Sequence, residues 1–447
     1  MDSSSVYLVV GLGKTGYSIA RYLRRRNYPF VVFDTRSNPP GLSEFSQEFP
    51  GVDVFCGEFP ENLYEHITEI ICSPGIPLDA QFMQKAVAKN IPIVGDIECL
   101  AREINVPLVA ITGTNGKSTV TTLVGEMAKA AGISVAVAGN IGLPVLDILD
   151  VGVKYGLWVL ELSSFQLDLT STLNPIAATI LNVTPDHLDR HHTLEAYIRA
   201  KQRVYLGAHT IIFNRDDAQT YPQSLGKNNN IISFGLDEPQ DDHWGLQEHD
   251  GQTYLVRGKT RLLAVSELRI KGRHNWSNAL AACALSETIG ITSDKMCEVL
   301  RRFSGLPHRS QWVRTLDEVD WVNDSKGTNV GATVSAISGI GSAMSGKIIL
   351  IAGGQGKGAD FSDLRAPVAD YARAVILIGE DAEHIERGLE HAVEVWHATS
   401  LKHAVQMAKE AALPGDVVLL SPACASFDMF RDFNHRGEEF ATLVNGL

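Results

Sequence analysis

The sequence predicts an α/β protein of three domains, each built on a mainly parallel sheet. At 447 residues the chain is too long for one ordinary core and fits about two to four domains. Along the chain, apolar strands repeatedly end in glycines or polar residues and are followed by helical segments, a pattern typical of parallel sheets covered by helices. We therefore predict domains at residues 1–96, 97–306 and 307–447.

Composition excludes several classes of protein. The chain is 45% hydrophobic and 20% charged, as in globular proteins, and its net charge of −13 gives no general attraction for nucleic acid or acidic membranes. No apolar run approaches the roughly 18 residues of a membrane span, and the N-terminus lacks the basic region of a signal peptide. Six cysteines without a CxxC pair favour reduced core thiols. A cytoplasmic protein is expected.

The N-terminal segment predicts a small Rossmann-like domain. Residues 6–10 form a strand, the turn GLGKTG follows at residues 11–16, and a helix extends to about Arg26. A second strand ends in Asp34, which gives the GxGxxG fingerprint with an acidic residue about twenty positions later. The fingerprint fits NAD, but any nucleotide with phosphates can use such a turn, so the ligand stays open.

The central region contains a glycine-rich turn at residues 113–118 between an apolar strand and a helix. Unpaired amides and the positive end of a helix dipole attract phosphate there, Lys117 adds a cation, and the Ser118 hydroxyl suits Mg²⁺. The turn has two residues between its glycines where the usual P-loop has four. The sequence nevertheless predicts a central P-loop ATP-binding domain with a parallel sheet.

Three further strands of the central region also end in polar residues: residues 138–142, 161–164 and 182–187. In open parallel sheets, ligands bind beyond the carboxyl ends of the strands, so these turns are expected to converge on the phosphate loop. Glu161 then suits Mg²⁺, with a solvated surface carboxylate as the alternative. His187 and His191 have the spacing of a zinc pair but lack a third ligand, and Lys201, by its residues alone, reads as a surface lysine.

The rest of the chain gives weaker signals. Residues 226–250 are polar and predict a loop or hairpin, and an alanine-rich helix opens near residue 272, where Asn275, Ser277 or Asn278 could simply cap it. After residues 305–307, strands at 319–322, 347–352, 374–378 and 416–420 predict a C-terminal Rossmann-like domain. Its strand ends carry Lys326 and Lys357, which suit an anionic second substrate or a degenerate nucleotide site.

Together these segments resemble the Mur ligase family, the ATP-dependent amide ligases of peptidoglycan precursor synthesis. The motifs are GTNGKST, AGNIG, NVTPDHLDRH, the lysine of YxxxK, HNxxN, LPHR, NDSKGTN and SPACASFD. The resemblance implies the member that adds D-glutamate to UDP-N-acetylmuramoyl-L-alanine through an acyl phosphate, with another Mur ligase or a folylpolyglutamate synthase-like ligase as the alternative. A dehydrogenase reading rests on the N-terminal fingerprint alone, and a slow ATP-hydrolysing switch is a third reading.

The resemblance also implies roles for residues of each domain. Those implied for the UDP-linked substrate are Lys14, Thr15, Asp34, Thr35, Arg36, Ser73, Gly75, Asn140, Ser163 and His187. Those implied for ATP are Gly113, Thr114, Asn115, Gly116, Lys117, Ser118, Thr119, Asn275, Asn278, Arg309 and Asp324. Those implied for D-glutamate are Lys326, Thr328, Lys357, Ser426, Phe427 and Phe433. The catalytic set is Lys117, Glu161, His187, Lys201 and Lys326.

The same resemblance implies two Mg²⁺ sites, for which Mn²⁺ can substitute, held by Ser118, Glu161, His187 and Lys201. Lys201 would act as a carbamate, since a protonated ammonium facing Mg²⁺ would be repelled and a carbamate supplies a hard anionic oxygen. The expected partners are the two small-molecule substrates and no nucleic acid or membrane, and the expected state is a monomer.

Overall fold

A computed structural model of the protein describes residues 5–226, 229–270, 272–342 and 344–447. In these residues the strands form three successive sheets of five, nine and six strands. Each sheet lies within one of the three predicted domain ranges, while the boundaries at residues 96 and 306 stay a prediction. Residues 1–4 of the N-terminal segment and residues 227 and 228 of the polar stretch lie outside the described residues.

The first sheet is parallel throughout and has the strand order β3-β2-β1-β4-β5. Its elements are β1 Val6–Val10, α1 Lys14–Arg25, β2 Phe30–Asp34, α2 Leu42–Glu48, β3 Val54–Cys56, β4 Ile67–Cys72, α3 Gln81–Ala88 and β5 Ile93–Val94. The apolar residues of α1 recur at helical spacing, so Ile19, Ala20 and Leu23 are fully buried. Helix α4, Asp96–Glu103, then leads into the central domain.

The second sheet has the order β14-β13-β12-β11-β10-β9-β6-β8-β7. Its strands are β6 Leu108–Thr112, β7 Val135–Gly139, β8 Leu157–Glu161, β9 Ala177–Ile180, β10 Thr210–Asn214, β11 Asn230–Phe234, β12 Trp244–His249, β13 Gln252–Arg257 and β14 Thr260–Ala264. The helices are α5 Lys117–Ala130, α6 Val145–Leu149, α7 Ser164–Asp168, α8 Leu188–His191, α9 Leu194–Gln202, α10 Arg273–Thr288 and α11 Ser293–Arg302.

The far end of this sheet differs from the predicted parallel sheet. Strands β6 to β12 pair in parallel, whereas β13 and β14 run antiparallel as a meander. Asp250 and Gly251 both have positive φ, the geometry of a two-residue hairpin turn, and this turn reverses the chain. The loop or hairpin predicted for residues 226–250 is therefore corrected: the range contains β11 and β12, which pair in parallel, and the hairpin joins β12 to β13 beyond residue 250.

Helix α10 opens near residue 272, as the sequence predicts, but none of the three suggested residues caps it. Its N-cap is Gly272, which has a φ of 95°. Asn275, Ser277 and Asn278 consequently lie within the first turns of the helix, and the suggestion that one of them caps it is wrong. The carboxamides of Asn275 and Asn278 instead lie on one face and hydrogen-bond each other at 3.1 Å.

The third sheet has the order β15-β16-β20-β17-β18-β19. Its elements are β15 Gln311–Leu316, β16 Val319–Asn323, α12 Val330–Gly341, β17 Ile348–Gly353, α13 Arg365–Tyr371, β18 Ala372–Ile378, α14 Ala382–Leu389, β19 Glu394–His397, α15 Leu401–Ala411, β20 Val417–Leu420 and α16 Phe433–Asn445. All pairs are parallel except β15 with β16. The four predicted strands are present, and the half-exposed edge strands β15 and β19 are additional.

Charged pairs join the N-terminal and central domains away from the strand ends. On α1 and its C-cap, Arg25 bonds Asp150 at 2.7 Å, and Arg26 bonds Glu103 at 2.7 Å and Asp150 at 3.2 Å. We call this cluster the N-terminal interface. Among the helices of the described residues, none has the length and apolar character needed to cross a membrane.

Candidate active site

Two cavities meet at the glycine-rich turn that follows β6. The larger, the main cleft, has a volume of about 930 Å³ and is lined by residues of all three domains, including Lys14, Lys117 and Lys357. The smaller, the side cavity, has a volume of about 500 Å³ and lies between α10 and α12. Arg309 and Lys326 line both cavities, so the two spaces adjoin.

Most of the residues that the sequence singles out meet at these cavities. The main cleft is lined by Lys14, Thr15, Gly75, Thr114, Asn115, Gly116, Lys117, Ser118, Asn140, Glu161, Ser163, His187, Lys201, Arg309, Lys326, Thr328, Lys357, Ser426, Phe427 and Phe433. The side cavity adds Thr119, Asn275, Asn278 and Asp324. Outside both linings lie Gly113, Asp34, Thr35, Arg36 and Ser73.

The phosphate loop, residues 113–118, is fixed by its neighbours. The Asn182 side chain accepts a hydrogen bond from the Asn115 amide at 2.8 Å and donates one to the Asn115 carbonyl at 3.1 Å. Gly116 has a φ of 81° as the N-cap of α5, and a β-carbon on it would collide with the Asn278 side chain. The loop therefore requires glycine there, and the N-terminal amides of α5 are available to an anion.

Lys117 is folded along this loop. Its ammonium donates to the carbonyls of Gly113 at 2.9 Å and of Thr114 at 2.8 Å. Burial lowers the pKa of Lys117, although Glu161 partly opposes that shift. A cation in this position is suited to phosphate oxygens lying over the loop.

Glu161, at the end of β8, lies at the centre of a polar network. It is only 2% exposed, accepts from Ser118 Oγ at 2.6 Å and accepts from Asn140 Nδ2 at 2.9 Å. Arg309 Nη2 donates to the same Ser118 hydroxyl at 2.6 Å from the far side of the cleft. A buried carboxylate beside a hydroxyl supplies the hard oxygen ligands that Mg²⁺ prefers, so Ser118 and Glu161 fit a magnesium ion.

Lys201 differs sharply from a surface lysine. It lies on the buried face of α9, is 1% exposed, and donates to the Gly113 carbonyl at 2.8 Å. Its Nζ lies 4.5 Å from the centre of the Tyr197 ring. Burial and the nearby Lys117 hold the pKa of Lys201 well below its usual range, which favours a neutral amine. The surface-lysine interpretation is wrong.

His187 lies in the left-handed region with a φ of 54°, and its ring packs edge-on against Phe165 at 5.1 Å. Burial lowers the pKa of His187, and the lysines around the cleft lower it further. His191 instead bonds Ser164 at 2.9 Å, and burial lowers the pKa of His191 to about 4. In the described part of the chain, no group of three or more His, Cys, Asp or Glu side chains suits a metal, so the zinc reading gains no support.

In the N-terminal domain, Asp34 holds the GLGKTG turn. Its carboxylate accepts from the Leu12 amide at 2.7 Å and from two nitrogens of the Arg36 guanidinium at 2.8 and 2.7 Å. Burial alone would raise the pKa of Asp34, but the bonds from Arg36 and the backbone amides lower it to about 2. Lys14 and Thr15, at the start of α1, extend from this turn into the main cleft.

In the C-terminal domain, the cleft residues lie on the loops after β16, β17 and β20 and at the start of α16. Lys326 Nζ lies 3.8 Å from the centre of the Phe433 ring, and burial lowers the pKa of Lys326 to about 8. Asp324 accepts from the Ser310 amide at 2.9 Å and from Ser421 Oγ at 2.7 Å. Burial raises the pKa of Asp324 to about 6.

Tyr197 and Asp186 are among the residues that line the cleft without a role predicted from sequence. Tyr197 bonds Thr114 Oγ1 at 3.2 Å, and its position four residues before Lys201 on α9 was an available signal. Asp186 accepts from Asn329 of the C-terminal domain at 3.2 Å. The position of Asp186 at a strand end was predictable, but its contact with Asn329 joins residues 143 positions apart, and no local pattern discloses it.

Three family descriptions match the chain in order. They are the N-terminal domain of MurD-like Mur ligases at residues 5–95, the Mur ligase middle domain at residues 111–286, and the glutamate ligase domain of Mur ligases at residues 308–424. The chain is 62% identical over 444 residues to a UDP-N-acetylmuramoylalanine–D-glutamate ligase of Legionella pneumophila, with 99% of each chain covered. The chain belongs to the Mur ligase family. A Pseudomonas fluorescens protein of the same description is 50% identical to this Mur ligase, with 98% of each chain covered.

Solved structures agree on the fold of this Mur ligase. The UDP-N-acetylmuramate–alanine ligase of Thermotoga maritima has a TM-score of 0.60 at 19% identity, and each chain is covered to 99%. A pseudomurein peptide ligase of Methanothermus fervidus has a TM-score of 0.61 at 17% identity, covering 99% of this chain and 100% of that one. The predicted family, the three-domain α/β fold and the class of ATP-dependent ligase are confirmed.

Proposed function

We propose that this Mur ligase joins D-glutamate to UDP-N-acetylmuramoyl-L-alanine, with ATP converted to ADP and phosphate, in the synthesis of peptidoglycan precursors. The similarity to D-glutamate ligases over nearly the whole chain carries the proposal. It is further supported by a single cleft to which all three domains contribute lysines. ATP, the UDP-linked acceptor and the amino acid then each have a domain of their own beside the others.

The chemistry requires an activated carboxylate, because a free carboxylate has no adequate leaving group for an amine to displace. Transfer of the γ-phosphoryl group of ATP to the alanyl carboxylate gives an acyl phosphate. The neutral amine of D-glutamate attacks the acyl carbon, the C–N bond forms, phosphate departs with the C–O bond electrons, and the nitrogen gives up one proton, which the departing phosphate can take. Lys117, Arg309 and Lys326 would stabilise the negative charge that moves between these groups.

We infer two magnesium sites in the cleft, with Mn²⁺ as a substitute. Ser118 and Glu161 would hold the first, and His187 and Lys201 the second, where the ions would neutralise phosphate charge. The Lys201 nitrogen would first attack the carbon of CO₂ and lose a proton, which gives an anionic carbamate oxygen ligand. The buried amine supports this step, since only the neutral form is nucleophilic.

The remaining assignments follow the domains. Asn275 and Asn278 in the side cavity would reach the adenine side of ATP, and Asp324 its ribose. Lys14 and Thr15 would meet the UDP-linked substrate, together with Asp34, Thr35, Arg36 and Ser73 around the same turn. The loops of the C-terminal domain would hold D-glutamate. A cytoplasmic monomer remains our prediction for its location and state.

A phosphate-release assay with a panel of amino acids tests the proposal. Phosphate is expected when ATP, Mg²⁺, UDP-N-acetylmuramoyl-L-alanine and D-glutamate are all present, and not when either the acceptor or D-glutamate is omitted. A preference for L-alanine or for an L-amino acid on a longer UDP-linked acceptor would indicate another Mur ligase. Turnover of a folate acceptor would indicate the folylpolyglutamate synthase alternative.

A further inference from the structure

Arg436, in the first turn of α16, is an arginine buried without an acidic partner. Its side chain is 1% exposed, and within the described residues no carboxylate forms a salt bridge with it, although the charges of Asp428 and Asp324 act on it from farther away. Burial lowers the pKa of Arg436 to about 10, so the guanidinium is still charged at neutral pH. A buried, unpaired charge is costly unless its donors are all satisfied, and this indicates a specific role for the group.

Every donor of this guanidinium has an acceptor at the end of a strand or on the loop that follows it. Nε donates to Ser325 Oγ at 3.0 Å, and Nη2 donates to the carbonyls of Ser325 at 2.8 Å and Cys424 at 3.1 Å. Nη1 makes longer contacts of 3.5 Å with the carbonyls of Gly353 and Ala425. The five N–H groups of one planar fork thus reach the loops after β16, β17 and β20.

These three loops carry the residues that we assign to the amino acid. Ser325 directly precedes Lys326, Ala425 directly precedes Ser426, and the loop after Gly353 leads to Lys357. Ser325 Oγ also donates to the Phe433 carbonyl at 2.8 Å, which ties the start of α16 to the same centre. The guanidinium lies below the cleft, since Arg436 is absent from its lining.

We propose that Arg436 is a positioning residue that sets the relative placement of the loops around the amino-acid subsite. It does so by binding carbonyl oxygens of all three loops, with no contact to the substrate itself. The inference rests on the proposed function, because the subsite is named by it. Lysine at this position would keep the charge but, with donors radiating from one atom, could not hold three separated loops.

The test measures steady-state constants for Arg436→Lys and Arg436→Gln in the full chain. We expect Arg436→Lys to raise the KM for D-glutamate by at least about tenfold, while the KM for ATP rises no more than about threefold, because Asp324 is the one residue assigned to ATP on these three loops. Arg436→Gln should be at least as impaired, since it loses the charge as well. A D-glutamate KM within twofold of the wild type, or a parallel rise for ATP, would overturn the proposal.

Arg373→Lys is the matched control. Arg373 is an arginine of the same sheet that pairs with Asp416 at 2.7 Å at the opposite end of the strands. Its replacement should lower the melting temperature and leave the KM for D-glutamate unchanged. An effect on that KM as large as that of Arg436→Lys would show that general loosening of the domain is sufficient, and would contradict a positioning role.

Ser325→Ala keeps the experiment decisive if the Arg436 variants do not fold. It removes one acceptor of the guanidinium and the bond to Phe433 but leaves a small residue in place. We expect a rise of about threefold or more in the KM for D-glutamate alone, and an unchanged KM would overturn the proposal. The panel of amino acids, assayed with the wild type, separates the proposed substrate from the proposed role of Arg436. If the wild type prefers another amino acid, only the substrate proposal is refuted. The variants would then be measured with that amino acid.

Discussion

Buried lysines give the cleft its unusual residue chemistry. Lys201 and Lys326 both lie at positions where burial lowers the pKa of the ammonium group, but their surroundings differ. Lys201 has a backbone carbonyl and the Tyr197 ring around it, while Lys326 lies over the Phe433 ring with its ammonium facing the cleft. The environment of Lys201 favours covalent modification of a neutral amine. The environment of Lys326 favours an ammonium group whose charge depends on pH.

Lys201→Ala is expected to reduce ligation by on the order of 100-fold or more, because it would remove a metal ligand. Added formate or acetate should restore part of the activity by occupying the vacated space. With ¹³C-labelled bicarbonate, the wild type should show a carbamate carbon resonance that the alanine variant lacks. Lys129→Ala, which changes an exposed lysine paired with Glu126, should behave like the wild type. A fully active Lys201→Ala enzyme would contradict the carbamate.

Lys326 should make binding of a dicarboxylate depend on pH. Its pKa of about 8 means that the folded protein loses this cation as the pH rises through 8, so attraction for a carboxylate weakens there. Glutarate, which has no amine to titrate, is the suitable probe. We expect its inhibition constant to rise between pH 7 and 9.5 in the wild type and to stay nearly flat in Lys326→Arg. The same rise in both proteins would assign the titration to another group.

At the scale of elements, the glycine at the start of α5 tolerates a side chain less well than the glycine after its end. Gly116 and Gly132 flank the helix with φ values of 81° and 79°, but a β-carbon would meet Asn278 only at Gly116. Gly116→Ala should abolish ATP binding measured by calorimetry, because the loop and Asn278 must move apart. Gly132→Ala carries a similar backbone cost of about 1–2 kcal/mol and should lower stability without affecting ATP. Retained ATP affinity in Gly116→Ala would contradict the requirement.

The elements also show what local pattern can and cannot predict. The parallel strands that carry the cleft residues are apolar runs followed by glycines or polar residues, so β1, β6, β8 and β17 are predictable from sequence. Strands β11 and β15 are not predictable in this way, since both carry half-exposed side chains, and β15 is also an edge strand. Burial of Lys201 depends on the Gly113 carbonyl, 88 residues away, and a family resemblance was needed to anticipate it.

At the scale of the whole molecule, the two domain interfaces differ in kind. The N-terminal interface has its charged pairs, such as Arg26 with Glu103, away from the cleft, and beside them Leu23 and Leu146 belong to an apolar cluster that both domains share. The C-terminal domain contacts the central domain at the cleft itself, through Arg309 with Ser118 and Asn329 with Asp186. Ligands that enter the cleft compete with the contacts between the C-terminal and central domains, and they leave the N-terminal interface unchanged.

We therefore expect the C-terminal domain, and not the N-terminal domain, to reorient when substrates bind. Spin labels on cysteines introduced at the exposed positions Val87, Lys129 and Lys402 would report one distance across each interface. On addition of nucleotide and the UDP-linked acceptor, the distance between the labels at positions 129 and 402 should change. The distance between the labels at positions 87 and 129 should stay constant. Equal shifts in both would contradict the distinction.

The main cleft also has a thermodynamic consequence, because its three walls do not share one core. The N-terminal and central sheets contribute to a common apolar cluster, whereas the C-terminal sheet buries two clusters of its own, so the ligand-free chain should melt in more than one calorimetric step, with the C-terminal unit separable from the rest. A molecule that spans the cleft binds only when every unit is folded, and thus couples their melting. Saturating substrates should merge the steps into a single sharper transition, and an inhibitor long enough to touch all three walls should do the same.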